Sequence, residues 1–163
     1  MPFTFGKLKV KRAFEKVVNP EAAEALADGG AKRAPLTESS IEIVLVFVRG
    51  ETPEELSRLI GCVGEIAAAH EAFVYSLCGS LVSATFGAHP NSHPGPSARA
   101  DLARDLLREL GTNIKVVHGA GRGCYGLFGA SKNLFYGFDF PKFDSALGLV
   151  GRAEFGTIQE FKP

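Results

Sequence analysis

Tryptophan is absent from the 163 residues, methionine occurs once, and neither charge sign is in surplus, since 18 basic side chains face 18 acidic ones. That balance excludes a general polyanion binder, because neutralising a run of phosphates takes an excess of Lys and Arg on one face. No nucleic-acid partner is expected. A local bias does exist: Lys7, Lys9, Lys11, Arg12 and Lys16 crowd the first stretch, which suits a solvated helix face or a linker running in from an upstream sensor or anchor. Cysteine is scarce as well. Cys62, Cys78 and Cys124 stand in apolar runs at no metal-ligand spacing, where a thiol serves as a small hydrophobe, so a reducing, cytoplasmic compartment is expected. The longest uninterrupted apolar run, 43–48, is far short of the ~20 residues that cross a bilayer. Residues 1–10 alternate Phe and Lys without an apolar core, so no secretory signal is expected either.

Several chemical signatures are also missing. No Gly-Lys-Ser/Thr occurs, which removes the phosphate loop of nucleoside triphosphatases. Gly121, Gly123 and Gly126 satisfy G-x-G-x-x-G, but a dinucleotide fingerprint needs a helix to begin there, and the surrounding residues read as strand. These glycines are expected to permit positive φ and close backbone approach. His89 and His93 lie in a Pro-rich loop with no Cys, Asp or Glu to complete a metal site, and they read as solvated. His70 closes a helix, where its charge suits the dipole. His118 precedes the glycines with no recognisable Ser or Cys nucleophile beside it.

What is present is 45% hydrophobic residues, enough for one domain with a sizeable core. The expected division is a basic segment, helix and linker over 1–40, then a domain over 41–163. Asn19, Pro20 and Glu21 write a helix start and Gly29-Gly30 its stop, predicting a helix over 20–27 and a linker over 30–40. Residues 41–48 are almost wholly β-branched or apolar, predicting a central strand buried on both faces. Thr52, Pro53 and Glu55 form a capping-box signature before a helix whose apolar positions recur at three and four residues. Two apolar runs, 73–77 and 81–86, flank Gly79-Ser80 as a tight hairpin. Ser97 is expected to cap a second helix over 98–110, with Gly111 as its end. Short strands over 113–118, 124–128 and 134–140, a helix over 143–150 and a strand over 157–161 complete the chain. The order β-α-β-β-α-β with extra elements predicts an α+β, ferredoxin-like fold with helices packed on a mostly antiparallel sheet.

Four segments in this order, FEKVVNPEAAEALADG, VLVFVRGETPEE, HEAFVYSLCGSLVSATFGAHP and VVHGAGRGCYGLFGASKNLFYGFDFPKFDSALGL, together resemble the catalytic domain of class III adenylate and guanylate cyclases over nearly the whole chain. The resemblance implies two metal-binding Asp residues, and here those positions fall at Phe47 and Ser80. The base-reading Lys and its partner fall at Ser76 and Pro141. The Asn and Arg that orient the ribose and stabilise the transition state fall at Asp144 and Gly148. A phenyl ring offers no ligand and a neutral hydroxyl does not compensate a hard dication. Arg49, Gly50, Thr52 and Gly79, which shape the backbone, remain as a vestigial phosphate loop.

The resemblance thus implies a catalytically inactive cyclase homology domain, acting as a dimerisation, regulatory or nucleotide-binding signalling module. A homodimer, or a heterodimer with another cyclase-like domain, is expected. Leu127, Phe128, Phe135 and Phe138 are expected to form an exposed apolar patch that such a partner covers. No cofactor is expected. The alternative is an active or diverged cyclase making a cyclic nucleotide from ATP or GTP, and only that reading calls for Mg²⁺ or Mn²⁺.

Overall fold

The computed structural model describes residues 36–88, 95, 97–130 and 133–162, with side chains of 76–78, 127–130 and 133–136 excepted. The predicted helix over 20–27 and the loop histidines His89 and His93 lie outside these residues. Contacts divide the chain into two units: Glu38–Cys124 with Asp139–Pro163, and Met1–Thr37 with Tyr125–Phe138. The site residues Phe47, Arg49, Ser80, Asp144 and Gly148 all belong to the first.

The elements run β1 (Thr37–Val48), α1 (Pro53–Ala69), β2 (Phe73–Cys78), β3 (Leu81–Phe86), α2 (Ala98–Leu110), a 3-10 turn (Gly111–Asn113), β4 (Ile114–Ala130), β5 (Asn133–Asp139), α3 (Phe143–Arg152) and β6 (Ile158–Glu160). The sheet order is β2-β3-β1-β4-β5, with β6 pairing β4 in parallel. The β2-β3-β1-β4 part is the ferredoxin-like order that β-α-β-β-α-β predicts. β1 is central because it is apolar on both faces: Val44, Val46 and Val48 join the α1/α2 core, and the alternate residues Ile41, Ile43 and Leu45 are equally buried. Its antiparallel register with β3 sets Phe47 opposite Leu81 and Val46 opposite Val82.

α1 and α2 each bury one stripe against this sheet. α1 buries Leu59, Val63 and Ala67 at intervals of four, and α2 buries Leu102, Ala103, Leu106 and Leu110. Each large apolar side chain so buried contributes roughly 1.5–3 kcal/mol. Thr52 caps α1 through its hydroxyl, which accepts from the Glu55 N–H at 3.1 Å. Glu55 reaches back to the Glu51 N–H at 2.8 Å, one residue earlier than the standard box. Ser97 departs from expectation: its hydroxyl donates to the Asp101 carboxylate and makes no cap hydrogen bond. Gly111 ends α2 at φ +54° as predicted.

Four boundaries are corrected. The linker expected to reach residue 40 gives way to strand at Thr37. The separate strands over 113–118 and 124–128 are one continuous strand, β4. α3 continues to Arg152, and β6 shrinks to three residues. The glycines between the expected strands are not turns. A Cβ at Gly119 would meet the Phe161 ring at 2.5 Å, and one at Gly123 would meet the Asp139 carbonyl oxygen at 2.4 Å, so β4 needs glycine for close packing along a straight run. The absence of a helix here removes the dinucleotide reading of Gly121, Gly123 and Gly126.

Candidate functional site

β1 ends at Val48, and the chain there is fixed from two sides. The Val48 N–H donates to the Ser80 carbonyl in the β2–β3 turn at 2.8 Å, and the Arg49 N–H donates to the Asn113 carbonyl at 2.8 Å. The first bond brings together Phe47 and Ser80, the two positions that the resemblance aligns with the metal carboxylates. Gly79 turns the hairpin at φ +51°, a left-handed conformation that favours glycine. Gly50 passes so close to α1 that a Cβ would stand 2.6 Å from the Leu56 nitrogen. The supposed phosphate loop is therefore closed on its own helix, since the Glu51 and Glu55 N–H groups already donate to Glu55 and Thr52.

Beyond the end of β1, side chains from three segments converge. The rings of Phe47 and Phe155 meet edge to face with centroids 6.1 Å apart. The Lys115 ammonium stands 5.4 Å from the Phe47 centroid and 5.1 Å from that of Phe155. The Arg49 guanidinium lies 4.1 Å above the Phe155 ring, and its Nη2 donates to the Thr112 carbonyl at 3.3 Å. Phe155 is placed by a tight loop after α3, where the Gly156 N–H donates to the Ile114 carbonyl at 2.7 Å and the Thr157 hydroxyl to the Glu154 carbonyl at 2.6 Å. Among the described residues, neither Arg49 nor Lys115 is paired with a carboxylate.

Sequence reasoning missed Lys115 and Phe155. Lys115 carried a signal, being the one charged residue between buried Ile114 and buried Val116. Phe155 carried none, because nothing local says that the loop after α3 returns to β1. Phe47 is half-buried, not enclosed as a doubly covered strand would have it.

The remaining predicted positions stand apart. Pro141, Asp144 and Gly148 are exposed, the last two one turn apart on α3. Ser76 pairs with Val82 in the β2–β3 ladder. Of the expected apolar patch, Phe138 is half-buried, and the side chains of Leu127, Phe128 and Phe135 lie outside the described set. Leu36 is the exposed large hydrophobic residue among those described, so the patch argument for a partner loses its Phe138 component.

Two other polar groupings share no residue with this site. A cavity of about 460 Å³ opens between α1 and α2, lined in part by Arg58, Cys62, Glu65, His70, Asp105 and Arg108. His70 Nε2 meets Asp105 at 3.0 Å, and that hydrogen bond, with Arg108 nearby, holds the Asp105 carboxyl below its usual range. His70 thus answers a carboxylate on α2 as well as closing α1. Across the sheet, Arg99 pairs with Glu42 at 3.3 Å and Glu160 at 3.0 Å. Burial alone would depress the Arg99 pKa, and the two carboxylates more than reverse it. His118 is buried beside them, with Nδ1 lacking a hydrogen-bond partner among the described residues. Desolvation lowers its pKa against the pull of Glu160, and Arg99 lowers it further.

No protein-family model and no curated protein matches the chain. Solved structures do. The adenylyl cyclase CyaB from P. aeruginosa superposes with a TM-score of 0.64 at 17% identity, covering 76% of each chain. The guanylyl cyclase Cya2 gives 0.58 at 19%, covering 76% of this chain and 75% of that one. The guanylate cyclase domain of RhGC from Catenaria anguillulae, solved with GTP, gives 0.62 at 16%, covering 76% and 79%. The fold is that of adenylyl and guanylyl cyclase catalytic domains.

Proposed function

We propose that this chain, built on the fold of nucleotide cyclase catalytic domains, is a non-catalytic homologue that works in cytoplasmic signalling by dimerising and binding a nucleotide it does not turn over. The observation that carries this reading is what surrounds Phe47. Its ring packs on Phe155, and the Lys115 ammonium sits over both rings. These residues do not fit a divalent cation. A hard dication seeks several oxygen ligands, and an ammonium nearby repels it. Among the described residues, no group of three His, Cys, Asp or Glu side chains is placed to hold a metal ion. Exposed Asp144 adds a negative charge at the position that the resemblance aligns with a transition-state group.

The dimer part of the reading is in line with one structure described as a non-canonical dimeric guanylyl cyclase domain from Blastocladiella emersonii, whose double mutant is described as monomeric. The test is turnover. Incubation with ATP or GTP and Mg²⁺ or Mn²⁺ is expected to yield no cyclic nucleotide, and light scattering is expected to report a dimer at high concentration. Sustained cyclic nucleotide production would establish the chain as an active cyclase with displaced ligands. A strict monomer would remove the dimerisation half.

A further inference from the structure

We propose that Arg49 and Lys115, held on the rings of Phe47 and Phe155, bind the polyphosphate end of an anionic ligand without any divalent cation. The proposal deepens the nucleotide-binding part of the reading above and rests on it. Two like charges over one ring, with no carboxylate partner among the described residues, are an arrangement that folding alone does not favour. A ring face attracts a cation by only about 0.5–1 kcal/mol at an exposed site, so Phe155 fixes the positions of both cations but does not neutralise either. Glu51 and Glu154 are close in sequence, yet neither pairs with Arg49 or Lys115. The charge left over is about that of one phosphate dianion.

The two donors are complementary. Arg49 spends Nη2 on the Thr112 carbonyl, which orients the planar guanidinium and leaves its other N–H groups for a bidentate contact with phosphate. Lys115 contributes a compact charge with three donors. Both side chains are already ordered by the rings, so a ligand meets a partly organised site and less entropy is lost on binding. A divalent cation has no place in this scheme. Lys115 and Arg49 supply the positive charge that a metal would otherwise bring. Metal bound to the ligand only reduces the ligand's negative charge and so weakens its attraction to them.

The sign of the metal effect is the test. Calorimetry of the full chain with tripolyphosphate, ATP and adenosine is run in EDTA at low salt, then repeated with excess Mg²⁺. Tripolyphosphate and ATP are expected to bind in EDTA, adenosine is not, and Mg²⁺ is expected to leave affinity unchanged or lower it. Arg49→Gln and Lys115→Gln should each weaken binding by about tenfold, the worth of one charge-assisted contact. Arg58→Gln, in the cavity between α1 and α2, should leave binding as it was. Circular dichroism of each variant confirms folding. Binding strengthened by Mg²⁺, binding lost equally in Arg58→Gln, or no binding in EDTA would each overturn the proposal. Failure of this kind with no turnover leaves the non-catalytic reading standing, whereas turnover overturns that reading whatever the binding shows.

Discussion

Two arginines beside the same sheet meet opposite treatment. Arg99 reaches two carboxylates, Glu42 on β1 and Glu160 on β6, and so ties α2 to both strands. Arg49 reaches a phenyl ring and a backbone carbonyl, with a second cation over the same ring. A charge fully answered from within the chain belongs to the architecture, because removing it strands its partners. A charge answered only by a ring and a carbonyl leaves nothing stranded when it goes. Its cost appears in what the chain can bind and not in whether it folds.

The two arginines differ most under substitution by leucine. Arg99→Leu should lower stability by about 2 kcal/mol, chiefly by leaving mostly hidden Glu42 without its counter-charge. That corresponds to a fall in thermal midpoint of roughly 5 °C for a chain of this size. Arg49→Leu should cost less than ~1 kcal/mol, the worth of its ring contact. Thermal unfolding of the two variants side by side is the measurement. Equal losses would mean that Arg49 is a structural residue, and the argument for a ligand would fail with it.

A smaller effect concerns the paired substitution Phe47→Asp with Ser80→Asp, which restores both metal carboxylates of the resemblance. No cyclase activity should appear, because Asp144, Gly148, Ser76 and Pro141 are unchanged and groups that act as a unit recover little when repaired in part. Phe47 is half-buried with Lys115 beside it, so the new carboxylate finds an ammonium before it finds a metal. The loss of stability should be about 1 kcal/mol, less than a carboxylate costs in an enclosed strand. Cyclic nucleotide production and thermal midpoint, with and without Mn²⁺, check both parts. Activity from these two changes would place the transition-state groups elsewhere than Asp144 and Gly148.

The legible parts of this molecule are those written locally. The run 41–48 announces a central strand by being apolar at every position but Glu42, and Gly79-Ser80 between two apolar runs can hardly be other than a hairpin. The stripe Leu59, Val63, Ala67 fixes which face of α1 is buried. The order of these elements then gives the ferredoxin-like sheet. β4 reads as two strands because glycine marks a turn as well as close packing, and the close approach expected of these glycines is met at the rings of Phe140 and Phe161 and at the Asp139 carbonyl. The site was half legible. The nearness of Phe47 to Ser80 follows from one strand lying beside one hairpin. Lys115 and Phe155 come from segments separated from β1 by whole helices, and no local pattern joins them. The Arg99 cluster was hidden for the same reason, since its members lie on β1, α2, β4 and β6.

The smallest effect lies among the answered charges, at His118. This imidazole is buried beside Glu160, its register partner on β6, with Arg99 as the other charge acting on it; Glu42 pairs with that Arg99, and Lys162 acts on Glu160. Burial holds its pKa below the ordinary 6.5. An unfolded chain therefore binds the proton first as pH falls, and the stability owed to neutral His118 is complete above about pH 6.5 and is lost as pH falls through the lowered value. Glu160, whose carboxyl is depressed first by its hydrogen bond from Arg99, has the same sign. Its window is lower, beginning below the ordinary 4.5. The two are separable by pH alone. His118→Gln should flatten the stability profile as pH falls below about 6.5, where one proton contributes a slope of at most ~1.4 kcal/mol per pH unit, and leave the limb owed to Glu160 at lower pH in place. Removing Arg99 should move the His118 titration upward, because its guanidinium opposes the imidazolium and frees Glu160 when it leaves. Proton NMR of the His118 ring in the parent chain and in Arg99→Leu gives that shift directly. A titration that stays put or moves downward would show that Arg99 does not act on His118.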